Sequence, residues 1–153
     1  MAMDFSYENL VKQENDLQFS VFNGEVALKI GMMLIERAKQ DNATVAISIT
    51  IAKQNIFHFA FDGLGPDADN WIRRKSNVVY EYHMSSLRLG LKLETEDSDL
   101  VAHGRSTIDF KVNGGSFPII VKGAGVIGAI TVTGLPHLID HEYIVTALTK
   151  YLS

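Results

Sequence analysis

The sequence contains no cysteine. This absence excludes disulfides, thiolate metal sites, cysteine nucleophiles and covalent haem attachment through cysteine. Proline is scarce as well: Pro66, Pro118 and Pro136 are the only three, and each lies at a predicted element boundary. No apolar run approaches the ~20 residues that a membrane helix needs, so we expect no membrane partner.

A basic surplus is also missing, since 14 Lys and Arg stand against 18 Asp and Glu and give a net charge of -4. Nucleic-acid-binding proteins usually carry a basic excess, so we expect no nucleic-acid partner. The N-terminus lacks a basic stretch followed by an apolar one, so no signal peptide is indicated and we predict a cytoplasmic location. Either Met1 or Met3 can be the natural first residue.

What is present is a globular composition, with 153 residues, 46% hydrophobic and 21% charged. A chain of this length can bury a core without staples, which predicts one domain over residues 1–153. Helices are predicted at about 7–16, from an Asn23 cap to about 41, and from near Asp69. The second of these carries an apolar stripe at helical spacing: Val26, Ala27, Ile30, Gly31, Leu34, Ile35 and Ala38.

Strands are predicted at residues 45–51, 56–61, 117–121 and 125–133, and residues 53–55 are read as the connection between the first two. A further helical stretch is expected after Ser85 or Ser86, and a last helix follows Pro136. Hairpins dominate over crossovers in this order of elements. The pattern therefore predicts an α/β (α+β) fold with a mainly antiparallel sheet and helices packed on it.

Residues 123–128 match the G-x-G-x-x-G pattern of dinucleotide-binding loops. That motif requires a helix after the glycines, whereas the residues that follow are β-branched and strand-like. The segment is therefore interpreted as the turn of a hairpin. No catalytic residue is predicted, because no nucleophile-elbow pattern or acid–base pair of clear spacing is present.

His137 and His141 are four residues apart, with Asp140 between them, at the start of a predicted helix. This spacing can place two imidazoles on one metal, but no third ligand is evident, so we favour a polar first helical turn and predict no metal site. Gly114 and Gly115 precede a strand; they form either an ordinary turn or a nest of N–H groups for an anion.

The segment 69–75 has the sequence Asp-Asn-Trp-Ile-Arg-Arg-Lys. On a helix its three cations point about 100° apart, so they cannot all face one ligand. One interpretation is a solvated or paired surface in which Asp67 or Asp69 caps the helix. The other is an anion-receiving pocket, in which a guanidinium holds a carboxylate beside the wall formed by Trp71.

Three stretches, residues 69–75, 114–119 and 134–136 with Asp140 and His141, resemble a branch of the GlcG-like family, also called the haem-degrading domain. The resemblance covers nearly the whole chain in the same order. It implies a profilin-like α/β/α layering with a five-stranded antiparallel sheet. It also implies homo-oligomers, dimers or larger, and in some relatives the binding or breakdown of haem.

Two positions depart from the branch: Asn113 replaces a common histidine, and His137 replaces a common glutamine. The favoured hypothesis is a homo-oligomer that binds a small anionic organic ligand, with haem as a candidate cofactor. The alternative is an interaction protein whose Trp71, Arg73 and Arg74 form subunit contacts; haem-degrading activity is the third hypothesis. The predicted ligand-binding residues are Trp71, Arg73, Arg74, Lys75, Gly114, Gly115, Ser116 and His141.

Overall fold

The computed structural model describes residues 3–153; residues 1 and 2, and with them the choice between Met1 and Met3, lie outside it. Within the described chain, five helices and four strands follow one another in the order α, α, β, β, α, α, β, β, α. They are α1 (Tyr7–Asp16), α2 (Gly24–Gln40), β1 (Ala46–Ile51), β2 (Gln54–Ala60), α3 (Asp67–Tyr82), α4 (Ser86–Thr95), β3 (Ser116–Val121), β4 (Gly125–Thr133) and α5 (His137–Leu152).

The four strands form one sheet in the order β2-β1-β4-β3, and every neighbouring pair is antiparallel. The expectation of five strands is wrong. Phe19 makes one isolated parallel bridge to Val121 at the β3 edge, with its N–H bonded to the carbonyl of Ile120. The carbonyl of Phe19 also accepts a hydrogen bond from the N–H of Lys122, and no other residue between α1 and α2 belongs to a strand or bridge.

The α2 helix forms where the sequence predicts it. Asn23 caps it, since its side chain accepts a hydrogen bond from the N–H of Val26 at 3.1 Å. All seven residues of the predicted stripe are buried. Gly31 lies against the ring of Phe57 in β2, where a Cβ atom would come within 2.5 Å of the ring. This close approach fixes the helix onto the sheet.

The sheet is covered on both faces. Apolar side chains of β1, β3 and β4 pack with α2 and α5 into the main core, which includes Ile47, Ile49, Phe117 and Ile130. The opposite face is polar but also buried, and the Thr50 hydroxyl lies 2.6 Å from the hydroxyl of Tyr80 in α3. The alternation of residues 45–51 therefore separates an apolar core face from a polar face beneath α3.

Two turns differ in how well the sequence indicated them. The predicted connection over residues 53–55 is wrong by one or two residues, because Ala52 and Lys53, both at positive φ, make the turn and β2 already begins at Gln54. The hairpin interpretation of residues 123–128 is confirmed, since β3 and β4 pair directly across Gly123. Within residues 3–153, no helix has both the length and the apolarity required to cross a membrane.

Candidate functional site

A cleft of about 430 Å³ opens at the end of the sheet where β4 ends and β3 begins. The first half of α3 forms one wall, and the first turn of α5 forms the other. We call it the Lys75 cleft; its lining includes Trp71, Lys75, Asn113, Leu135, His137 and Asp140. Residues distant in sequence meet here because antiparallel pairing brings the start of β3 beside the end of β4.

Lys75 lies at the floor of the cleft and is only 1% exposed. Its Nζ donates to the carbonyls of Val132 at 2.9 Å and Gly114 at 3.2 Å, and to Oδ2 of Asp140 at 3.3 Å. An ammonium group has three N–H donors, so each of them has one acceptor. The side chain of Lys75 therefore links four parts of the fold, namely α3, β4, the turn before β3 and α5.

Burial dominates the electrostatics of this ion pair. Desolvation lowers the pKa of Lys75, and the neighbouring carboxylate of Asp140 opposes that shift. Desolvation likewise raises the pKa of Asp140 to about 6, against the charge of Lys75 and the N–H of Leu135. At pH 7 the pair is close to neutral overall, and a modest fall in pH protonates Asp140.

The two glycines before β3 allow the chain to approach this lysine. Gly115 has φ +130°, and a Cβ there would lie 2.4 Å from Nζ of Lys75. A Cβ on Gly114 would lie 2.5 Å from the carbonyl oxygen of His137. Only glycine fits both constraints at position 115, the space and the positive φ. The N–H of Gly114 is itself engaged, as it donates to Nδ1 of His137 at 2.9 Å.

That hydrogen bond determines the tautomer of His137. Because Nδ1 accepts from Gly114, the proton of the neutral ring is on Nε2. Burial and the charge of Lys75 both lower the pKa of His137, which favours the neutral ring. The exposed imidazole therefore offers an N–H donor to a ligand.

This tautomer does not fit an axial haem ligand in the Lys75 cleft, because iron would need the lone pair of a nitrogen that here carries hydrogen. Asn113 provides no imidazole either. Across residues 3–153 no three His, Asp or Glu side chains are grouped so as to hold a metal ion. The residues of this cleft therefore do not fit the ligation of haem iron.

The structure separates the cationic segment of α3 into two parts. Trp71 and Lys75 line the cleft. Arg73 and Arg74 instead form hydrogen bonds with the loop of residues 106–110. Arg73 donates to the Asp109 carboxylate and to the Ile108 carbonyl, both at 2.9 Å, and Arg74 donates to the Thr107 carbonyl at 2.7 Å.

The start of α3 also differs from the expected one. The helix begins at Asp67, with Pro66 at the cap position and no side-chain capping bond, so the predicted Asp cap is not formed. Asp67 instead accepts a hydrogen bond from Nε1 of Trp71 at 3.2 Å, which orients the indole at the cleft wall. The guanidinium of Arg74 lies 5.2 Å from the centre of the same ring.

The other two predicted site residues lie beneath the cleft and do not line it. Ser116 is buried, with its hydroxyl 2.9 Å from that of Thr131. His141 is fully buried, with Nε2 2.8 Å from Oε1 of Gln13, and burial lowers its pKa to about 4. In the described part of the chain Nδ1 of His141 has no hydrogen-bond partner.

Asn113, His137 and Asp140 are the cleft residues missing from the set predicted as ligand-binding. A signal for them was available in the sequence. The Gly-Leu-Pro run of residues 134–136 predicts a helix start, and the first turn of that helix carries His137 and Asp140. What no local pattern indicates is that this turn faces Lys75, 65 residues earlier in the chain.

Comparison with known proteins places the chain among relatives of its own length. A UPF0303 protein of Rhizobium etli (strain CIAT 652) is 40% identical over 153 residues, covering 100% of this chain and 93% of the relative. The crystal structure of Ybr137w has a TM-score of 0.88 at 22% identity, over 97% of this chain and 88% of that one. This likeness shows the shared fold.

A second solved structure, the PduOC:Heme complex, has a TM-score of 0.70 at 15% identity and covers 84% of this chain and 94% of its own. The family model described as haem degrading protein HbpS-like matches residues 22–149. That match includes β1 to β4, α3 and the whole lining of the Lys75 cleft. The chain belongs to the HbpS-like family.

Proposed function

We propose that the protein binds a small organic ligand with a carboxylate head group in the Lys75 cleft. The observation that supports this most directly is the buried ion pair of Lys75 and Asp140 at the floor of an open cleft. Ion pairs with both side chains only 2% exposed are uncommon, and perturbed charged groups in a cleft are typical of ligand sites.

The walls provide the other elements of recognition. Trp71 offers a half-buried aromatic face, and its indole is held by Asp67. His137 offers Nε2–H as a donor to a carboxylate oxygen, and Asn113 offers an amide beside it. A volume of about 430 Å³ is in the range of small-molecule sites, which run from roughly 300 to 1,000 Å³.

Haem is one member of this ligand class, since its propionates are carboxylates. The family description and the haem complex of PduOC favour it as a candidate. In this chain the cleft would bind the carboxylates and the edge of the macrocycle through the residues named above, and the proposal does not require iron ligation. Haem-degrading activity is not part of it.

The experiment is a fluorescence titration, because Trp71 is the single tryptophan of the chain and lies in the cleft wall. The probes are haem, iron-free protoporphyrin IX, citrate and benzoate. We expect saturable quenching by at least one of them. His137→Ala should weaken that binding by about 10-fold, as expected for a lost hydrogen bond to a charged group.

The matched control is His103→Ala, since His103 is exposed on a loop outside the cleft. Its affinity should equal that of the wild type. Binding that is equally tight in His137→Ala and His103→Ala would show that the ligand does not occupy this cleft. Equal quenching by haem and protoporphyrin would indicate that the iron contributes nothing to the affinity. A Soret shift with haem would instead indicate that a residue outside the Lys75 cleft ligates the iron.

A pH titration examines the floor of the cleft. Because the pKa of Asp140 is raised to about 6, lowering the pH from 7 to 5 protonates it and leaves the positive charge of Lys75 for the ligand. Carboxylate binding should therefore tighten over this interval. Asp140→Asn should bind more tightly than the wild type at pH 7 and lose the pH dependence; identical pH profiles in both proteins would contradict the assignment.

The alternative function is a protein-interaction role for the surface around Trp71 and Arg73. One observation favours it. The side chain of Ile108 is 74% exposed, and the carbonyl of the same residue accepts a hydrogen bond from Arg73. Tryptophan and arginine are also enriched in interface hot spots. Under this alternative Trp71→Ala shifts the protein to smaller species in light scattering with no ligand present, and His137→Ala leaves the particle size unchanged.

A further inference from the structure

The outward face of α2 exposes large apolar side chains that the cleft does not use. Leu28 is 50% exposed and Met32 is 52% exposed, and residues four apart lie on the same side of a helix. They border a groove of about 820 Å³ between α2 and α5, which Met33 and Tyr151 also line. Leu28 and Met32 therefore present adjacent apolar side chains to the solvent at the border of this groove.

The charges on the same face have an ordered arrangement. Glu25 lies seven residues before Met32, and Lys39 lies seven residues after it. Seven residues correspond to nearly two helical turns, so Glu25, Met32 and Lys39 form one stripe with the charges about 10 Å on either side of the methionine. Both charged side chains are exposed, and neither forms an ion pair within residues 3–153.

We propose that α2 pairs in antiparallel orientation with α2 of a second copy of this chain, around a two-fold axis at Met32. Such an axis brings each residue at 32 minus n opposite the residue at 32 plus n of the other copy, which is an isologous contact. Glu25 then faces the partner subunit's Lys39, and the same ion pair recurs at the other end. A parallel pairing would place Glu25 against Glu25 and Lys39 against Lys39.

The apolar residues fit the same axis. Met32 meets its own equivalent at the centre, and Leu28 meets the aliphatic stem of the partner's Glu36. Methionine is suited to such a self-contact because its flexible thioether adapts to its neighbour. A small apolar ligand in the groove would cover Met32 but would make no use of Glu25 and Lys39, so the charge pattern favours a second copy as the occupant.

A charge swap tests the orientation. By sedimentation velocity at low ionic strength, Glu25→Lys and Lys39→Glu should each weaken dimerisation by about 10-fold, because each single change sets two pairs of like charges in contact. The double variant Glu25→Lys/Lys39→Glu should restore the wild-type dissociation constant. A double variant that associates no better than the singles would overturn the antiparallel pairing.

The absence of cysteine allows an independent test of the axis. A Met32→Cys variant should form a disulfide-linked dimer under mild oxidation, because the axis brings the two sulfur atoms together. Val101→Cys is the matched control, since Val101 is 66% exposed and lies on a loop outside α2. Circular dichroism would verify the fold of each variant, and cross-linking of Met32→Cys no faster than of Val101→Cys would refute the proposal.

This contact lies on α2 and does not depend on the Lys75 cleft. Failure of the cross-linking experiment therefore leaves the ligand proposal intact, and loss of ligand binding in His137→Ala leaves the dimer proposal intact. Saturable binding of an apolar dye such as anilinonaphthalene sulfonate to the groove, without a dimer at any protein concentration, would assign the groove to a ligand and overturn the pairing.

Discussion

Gly115 is under a tight steric constraint beside the cleft. Its φ is +130°, and a Cβ would meet Nζ of Lys75 at 2.4 Å and the carbonyl oxygen of Val132 at 2.5 Å. Gly115→Ala should therefore destabilise the protein by about 3 kcal/mol, from strain and from disruption of the Lys75 contacts. Urea denaturation measures this change.

Gly123→Ala is the matched control for that variant. Gly123 also has positive φ, +84°, but no atom lies within 4 Å of the position of its Cβ. Gly123→Ala should therefore lower the free energy of unfolding only by the conformational penalty of about 1–2 kcal/mol. Similar losses in the two variants would mean that the Lys75 contacts contribute little to the cost at position 115.

His141 should make the stability depend on pH. Burial lowers its pKa from 6.5 to about 4 in the folded protein, so between these values the unfolded chain binds the proton more readily. The folded state is therefore destabilised as the pH falls, by about 3 kcal/mol between pH 7 and pH 4.

His141→Phe removes this titratable group. The new ring would lie between Phe5 and Phe117, which already pack on His141. The variant should gain about 3 kcal/mol relative to the wild type as the pH is lowered from 7 to 4. Urea titrations at both values measure the difference, in which the contributions of other groups cancel. A constant difference would mean that His141 titrates normally.

At the scale of elements, α3 acts through its arginines on the loop of residues 106–110. Three of their hydrogen bonds end on carbonyls or a carboxylate of that loop, and the N–H of Lys111 donates to the carbonyl of Arg74. This loop leads directly to Asn113 in the cleft. Arg73 and Arg74 do not line the cleft, and we predict that they position its wall through this loop.

The double variant Arg73→Ala/Arg74→Ala should loosen this loop. Amide hydrogen exchange in residues 106–113 should accelerate by at least about 10-fold, while exchange in β1 and β4 stays unchanged, because local opening is independent of the core. Lys122→Ala is the control, since Lys122 is exposed and lies at the β3–β4 turn. Unchanged exchange in the double variant would show that the loop is held by other contacts.

At the scale of the whole molecule, the proposed α2 pairing links stability to concentration. If the folded chain is a dimer, each tenfold increase in protein concentration should stabilise it by about 1.4 kcal/mol of dimer. The midpoint of thermal unfolding should therefore rise with concentration in the wild type. Met32→Glu places two like charges on the axis, so its midpoint should not change with concentration; equal behaviour of both proteins would contradict the linkage.

The sequence by itself determined most of the secondary structure. The stripe of α2, the Asn23 cap and the alternation in β1 are local signals, because helix and strand periodicity depend on neighbouring residues alone. The absence of cysteine and the strand-like residues after Gly125 likewise settled, without coordinates, that the chain has no disulfide and that the glycine-rich run is a hairpin turn.

Only the tertiary structure decided which charged residues meet. The sequence showed that the three cations of residues 73–75 cannot all face one ligand, but it did not show which of them do. In the structure α3 buries Lys75 against Asp140, whereas Arg73 and Arg74 form hydrogen bonds with the loop of residues 106–110. The four strands that the residue pattern predicted all form, and of the fifth strand that the resemblance implied only the isolated bridge of Phe19 to Val121 is present. Burial and long-range pairing depend on the whole fold, and no local pattern of residues encodes them.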